Sequence, residues 1–271
     1  NIYVAPQSTR SIVKFNKNGA KENEWKYSEL GIGGVSGLAL DGDNLIIVDP
    51  KQNQVVSLAL VEREEETSVY EETAVDSTDS TAPVKMTAPV RKSKISVIAY
   101  GGEAYGSKAL SRPGNIVVSK GNYYICDTGN KRIVVFEGNA YRKAIGEDKL
   151  SHPMGLAMKG DALFVADLGK GVIFEYNASG EFKGEKTLKS QAQPAGIYIS
   201  DEGFIFVADY AKNSIIKYTD EFKELGAAAN TIVAPMQMTQ IGEGPAAMVY
   251  VADNAGVTVL KGGWDNAYMP E

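Results

Sequence analysis

Residues 122–136, NYYICDTGNKRIVVF, read as a strand, a tight turn and a second strand. Tyr123–Cys126 and Ile133–Phe136 are runs of β-branched, aromatic and apolar residues, the composition of a pleated, half-buried surface. Asp127-Thr-Gly-Asn130 between them is turn chemistry, because Asp and Asn bond their own backbone and Gly accepts a positive φ. Just upstream, Arg112-Pro-Gly-Asn-Ile-Val-Val118 leads the chain into a further strand that stops at the Lys120-Gly121 turn.

The pattern recurs along the chain. Gly155-Leu-Ala-Met158, Ala162–Asp167 and Gly171–Phe174 make one copy, and Gly196–Ile199, Phe204–Asp209 and Ser214–Tyr218 make another. Gly37–Leu40, Leu45–Asp49 and Gln54–Leu58 make a third, and Met248–Asp253 with Val257–Leu260 a fourth. The chain opens on a partial copy, Ile2–Ala5 and Ser11–Phe15. The anchor aspartates set the period: 40 residues separate Asp127 from Asp167, 42 separate Asp167 from Asp209, and 44 separate Asp209 from Asp253. Ala5 holds the anchor position of the first copy, 44 residues before Asp49; the 78 residues from Asp49 to Asp127 are one period plus an insertion. A ~40-residue period of about four short strands predicts an all-β chain, a six-bladed β-propeller of four-stranded antiparallel blades. The ring is one domain over 1–271, since no blade buries both its faces alone.

The spacing Pro-x-Gly-hydrophobic, then Val-Ala-Asp, then Asn-x-Arg-Ile-x-x-Phe resembles the NHL repeat family. Arg112–Phe136 carries it most fully, and the copies at His152 and Gln193 follow it well. The resemblance implies the propeller fold and leaves function open, because one fold hosts many activities.

With 44% apolar and 23% charged residues, the composition is that of a globular domain. No apolar run reaches the ~20 residues of a membrane helix, so membrane insertion is not expected, and no signal peptide is evident. Cys126, the single cysteine, excludes an internal disulfide and a cysteine-based zinc site; standing where sibling motifs have Ala, it reads as a small core residue. The net charge of −6 argues against a phosphate-binding stripe, and no nucleic-acid partner is expected. Lys51, Lys131, Arg132, Lys170 and Lys212 nevertheless place five cations after the anchors, on one rim.

The first blade is expected to lack its inner strand, with Glu24–Leu30 as its outer one. The last is expected to take its outer strand from the tail Trp264–Glu271. The second blade contains an insertion, 61–94, acidic outward and basic on return. This polarity suits a long hairpin-like arm with cross-strand charge pairs. Its binding candidates are Glu64, Glu65, Tyr70 and Arg91.

In such a ring the residues leading into the inner strands encircle one channel mouth: Ser36, Arg112, Asn115, His152, Met154, Gln193 and Gln237. Their mixture of polar and soft apolar groups suits protein or peptide contact and contains no acid–base pair. Asp49, Asp127, Asp167, Asp209 and Asp253 could suggest a metal ring. Repetition in every blade instead marks them as turn caps accepting backbone N–H groups. No catalytic residue, metal site or cofactor is therefore assigned. His152 is the sole histidine and is expected to be a loop residue. The several-histidine zinc set of six-bladed peptide-amidation lyases is absent, as is a Gly-x-Ser-x-Gly elbow. Asn177-Ala-Ser179 is a possible glycosylation acceptor. The expected function is a non-catalytic interaction or scaffold module, outside the cytoplasm, binding another protein or larger assembly through the mouth and the arm. The alternative is a calcium-dependent hydrolase or lactonase with oxygen ligands in the channel. A sensor domain of a longer chain is a third reading.

Overall fold

The computed structural model describes residues 1–6, 9–16, 19–60, 95–96, 109–138, 140–188, 192–228, 232–241, 248–253 and 256–261. The arm at 61–94, with Glu64, Glu65, Tyr70 and Arg91, and the tail Trp264–Glu271 lie outside the described residues.

Six antiparallel sheets follow one another along the chain. The first contains β1 (Ile2–Val4), β2 (Ser11–Phe15) and β3 (Lys21–Lys26), and ends in the one-turn helix α1 (Tyr27–Leu30). The second contains β4 (Gly37–Asp41), β5 (Asn44–Asp49), β6 (Gln54–Ala59) and the short β7 (Ile95–Ser96). The third contains β8 (Ile116–Ser119), β9 (Asn122–Asp127), β10 (Arg132–Glu137) and β11 (Ala140–Ile145). The fourth contains β12 (Pro153–Lys159), β13 (Ala162–Asp167), β14 (Val172–Asn177) and β15 (Phe182–Thr187). The fifth contains β16 (Pro194–Ile199), β17 (Ile205–Asp209), β18 (Ser214–Tyr218) and β19 (Glu224–Ala228). The sixth contains β20 (Gln237–Ile241), β21 (Met248–Asp253) and β22 (Gly256–Lys261). Among the described residues the first and sixth sheets have three strands and the other four sheets have four; a missing strand was expected for the first, and the sixth was expected to take its fourth from the tail.

Strand alternation builds the core. Successive side chains of one strand point to opposite faces, so each sheet feeds two interfaces. Ile125 and Val134 pack toward the second blade, against Ile46 and Val48. Tyr124, Cys126, Ile133 and Val135 pack toward the fourth, against Leu156, Val165 and Phe174. Further apolar clusters join the first blade to the second, the fourth to the fifth and the fifth to the sixth. Among the described residues no such cluster joins the sixth blade to the first. Four sheets bend at repeated bulges, where the register slips between Lys14 and Phe15, Val135 and Phe136, Glu175 and Tyr176, and Lys217 and Tyr218. Recurrence at one place in the repeat marks these bulges as part of the blade's twist.

Candidate functional site

The anchor aspartates lie at one end of the strands, between the turn that follows them and the loop that leads into their blade. Asp49, Asp127, Asp167 and Asp209 are fully buried. Each accepts hydrogen bonds from the turn ahead and from the loop that leads into its own blade. Lys51 N–H donates to Asp49 Oδ1 at 3.0 Å, and Gly33 N–H to Oδ2 at 2.7 Å. Ser151 N–H donates to Asp167 Oδ2 at 2.7 Å, His152 N–H to Oδ1 at 3.0 Å and Lys170 N–H to Oδ1 at 2.9 Å. Asp209 Oδ1 accepts from Gln193 N–H at 3.1 Å and Lys212 N–H at 3.3 Å. Asp253, half-buried, accepts from Gly256 N–H at 2.9 Å, Thr258 Oγ1 at 2.8 Å and Val233 N–H at 3.3 Å. The leading-loop contact spans 16 residues in four blades and 20 in the sixth, so turn chemistry read locally could not reveal it.

Asp127 adds a charged donor to its set: Ser111 N–H at 2.7 Å, Asn130 Nδ2 at 2.8 Å and Arg132 Nε at 2.8 Å. Arg132 is itself buried and bonds Glu147 through Nη1 at 3.2 Å. It is an internal brace of the third blade, which corrects its reading as a rim cation. The other four are exposed.

The mouth candidates divide by what their atoms do. Ser36 Oγ donates to Pro113 O at 2.7 Å and Gly114 O at 3.0 Å, tying the second blade to the third. Asn115 Oδ1 accepts Ile116 N–H, its amide donates to Met154 O at 3.3 Å, and its carbonyl accepts Cys126 N–H. Met154 enters this contact through its backbone, and His152 serves Asp167 through its amide while its carbonyl accepts Leu168 N–H. Arg112 and Gln193 are exposed. Gln237 Nε2 donates to Ser36 O at 3.1 Å, so the sixth blade reaches the second directly, across the position of the first.

Glycines set the inner wall. Gly37, Gly155 and Gly196 sit opposite the residue before the anchor aspartate of their blades. A Cβ on Gly155 would lie 2.8 Å from Gly196 Cα, and one on Gly196 would lie 2.0 Å from Met236 O. Adjacent inner strands thus meet backbone to backbone, which is the physical content of the Pro-x-Gly pattern. Gln237 holds the equivalent place in the sixth blade, opposite Ala252. Burial pushes the Cys126 thiol well up, which suits an unreactive core group.

Residues 110–136 match the family described as NHL repeat. The matched segment lies in the third blade and ends within β10. Comparison with curated proteins by sequence returns no match. Solved structures share the architecture of this NHL-bearing chain. A chain of the nidogen/laminin complex is similar at a TM-score of 0.69 and 12% identity, over 96% of this chain and 88% of that one. A candidate gluconolactonase is similar at 0.64 and 13%, over 96% and 87%. An inactive virginiamycin B lyase from Staphylococcus aureus, solved with quinupristin, is similar at 0.60 and 15%, over 93% and 73%. Identities this low establish the β-propeller fold and nothing about activity.

Proposed function

We propose that this propeller is a protein-interaction module whose anchor-bearing mouth receives an acidic partner surface. The observation that carries the reading is a ring of charge. Arg10, Lys51, Lys131, Lys170 and Lys212 contribute one exposed cation from the same turn of each of the first five blades. None of Lys51, Lys131 and Lys170 has an ion-pair partner among the described residues. The anchor aspartates that precede them in sequence are buried and occupied with backbone amides. Turns at the opposite end carry exposed Asp43, Asp161, Asp201 and Asp220. Two of these are paired, Asp161 with Lys120 and Asp220 with Lys159, whereas the cations of the mouth turns form a cluster that would steer an acidic partner to the mouth. The likeness to a propeller solved in a protein complex supports the same reading.

Affinity capture from nuclease-treated native extract tests it, comparing the parent chain with Lys51→Glu/Lys131→Glu/Lys170→Glu/Lys212→Glu and with Lys120→Glu at the opposite end. A partner protein retained by the parent and by Lys120→Glu, lost with the rim variant and released by high salt is the expected result. Capture of nucleic acid alone overturns the proposal. So does tightly held calcium with lactone hydrolysis that the rim variant leaves intact, which would install the hydrolase reading.

A further inference from the structure

We infer that the acidic partner of the mouth carries one large apolar side chain, which seats on Tyr210 and Val233 where the fifth blade meets the sixth. This rests on the interaction-module reading and names what the partner presents beside its charge. Cations recur in the mouth turns of five blades. A feature repeated around a ring attracts a partner without choosing a place on it. A place is chosen by what is built once.

Two mouth positions break the repeat, side by side. The first is the residue after the anchor aspartate. In the second, third and fourth blades it is Pro50, Thr128 and Leu168, each buried or half-buried. Thr128 turns its hydroxyl inward to Pro153 O of the next blade. In the fifth blade it is Tyr210, 39% exposed. Its amide donates to Gln193 O, and among the described residues no hydrogen bond, ion pair or ring contact engages its side chain.

The second position is the leading-loop residue whose amide the anchor accepts. In the second to fifth blades it is Gly33, Ser111, Ser151 and Gln193, small or polar each time. In the sixth it is Val233, which bonds Asp253 through its amide and is 48% exposed. The next residue, Ala234, donates its N–H to Asn213 Oδ1 at 2.7 Å. The turn that carries Tyr210 is thereby tied to the loop that carries Val233. Asn53 makes the same bond to Arg112 N–H between the second and third blades, and Arg112 and Ala234 share a positive φ of 45° and 49°. The joint is a repeated part; the exposed apolar pair on it is not.

The fold uses both residues through their backbones and leaves their side chains to solvent. Tyrosine offers a large, flat apolar face that loses little freedom on contact, which is why it is enriched at the energetic centres of interfaces. Lys212 stands in the same turn, and Lys170 in the corresponding turn of the fourth blade. An apolar side chain flanked by carboxylates meets both features at once. The cations speed its approach, and the apolar contact decides which segment stays.

The probe is a fluorescein-labelled heptapeptide of glutamate and aspartate with phenylalanine at its centre. It is compared with the same peptide carrying serine there, by anisotropy against the full chain at low salt. The phenylalanine peptide is expected to bind about tenfold more tightly, the scale of burying one such side chain at a contact. Tyr210→Ser and Val233→Ser together are expected to abolish that preference, and Tyr210→Phe to keep it. These side chains are exposed, so each variant should retain the parent's urea midpoint. Equal binding of the two peptides overturns the proposal. So does a preference that survives both serine substitutions, or no binding of either peptide. Tighter binding of a labelled oligothymidine of equal charge, stacking on the tyrosine, also overturns it. If the seat fails while a partner protein is still captured through the rim lysines, the interaction reading stands without it. A Tyr210-dependent preference with no rim-dependent capture leaves the seat and removes the charge reading.

Discussion

The third and first blades share strands of similar composition and differ at one mouth position. In the third, Asp127 is fully buried and joins Ser111 of the leading loop, Asn130 of the turn and Arg132 of the next strand. In the first, Ala5 replaces it, and among the described residues β1 pairs with β2 alone and lines a cavity. Aspartate and inner strand are present together or missing together among the described residues. The carboxylate is therefore best understood as the fastener of the inner strand, and the turn it caps as half of its task.

The largest effect should come from cutting that fastener. Asp127→Ala leaves the Arg132 guanidinium buried beside an empty position and the Ser111 amide unpartnered. The expected loss is about 3–5 kcal/mol, the cost of breaking a buried charge pair from one side. Domains of this kind are stable by only ~5–15 kcal/mol, so urea unfolding should show a large fall in midpoint. Ala5→Asp, with no leading loop to hold among the described residues, should change the midpoint little. A gain from Ala5→Asp comparable to the loss from Asp127→Ala would mean that the first blade hides a loop of its own, and the comparison fails.

Gly196→Ala tests the wall at the next level. The new methyl would lie 2.0 Å from Met236 O, against backbone that cannot rotate away. A loss of about 3 kcal/mol, the upper end for overpacking, is expected in the same titration. Gln237→Ala, at the equivalent place beside the cavity, removes one half-buried hydrogen bond and should cost about 1 kcal/mol. Equal costs at the two positions would show the wall beside the cavity to be as tightly packed as the others.

These contrasts also show what the sequence could convey. The period of the anchors, the alternation in Tyr123–Cys126 and Ile133–Phe136 and the turn residues between them are local properties, and they locate strands and blade order. The other end of each aspartate's bonding lies 16 to 20 residues away, and the glycines' neighbours belong to another blade. Such facts appear only when the blades are stacked. Arg132 illustrates the limit: spacing places it beside the rim lysines, but the alternation of β10 turns it inward to Asp127. The arm's candidates and the tail fall outside the described residues, and the mouth's polar side chains have no local pattern that separates wall from surface.

A smaller effect is expected at the seam between the third and fourth blades. Thr128 Oγ1, buried, donates to Pro153 O at 2.6 Å. Thr128→Val leaves that carbonyl without this donor and should cost about 1–2 kcal/mol. Cys126 reports it directly. The thiol is buried, its pKa is pushed well up, and it sits in the apolar cluster these two blades share. Labelling by a thiol reagent should therefore require local opening and run several-fold faster in the variant. Rapid labelling of the parent would show that this pair of blades opens readily.

The smallest effect should come from the opposite end, where a charge pair also bridges the third and fourth blades. Lys120 Nζ lies 2.7 Å from Asp161 Oδ1, with the side chains 74% and 73% exposed. Their hydrogen bond lowers the Asp161 pKa and raises that of Lys120. Asp161's share of any stabilisation would thus be present above its unfolded pKa and lost as pH falls through the lowered folded value; the lysine's would be lost only at strongly alkaline pH. Water and salt screen both shares. Lys120→Ala should leave the urea midpoint unchanged, and an acid titration of the parent and the variant should superimpose. The chemistry resembles that of Arg132 and Asp127, and burial alone separates the two pairs. A midpoint shift from Lys120→Ala approaching that from Asp127→Ala would place the inter-blade fastening at both ends of the channel and remove the mouth's special role in holding the ring.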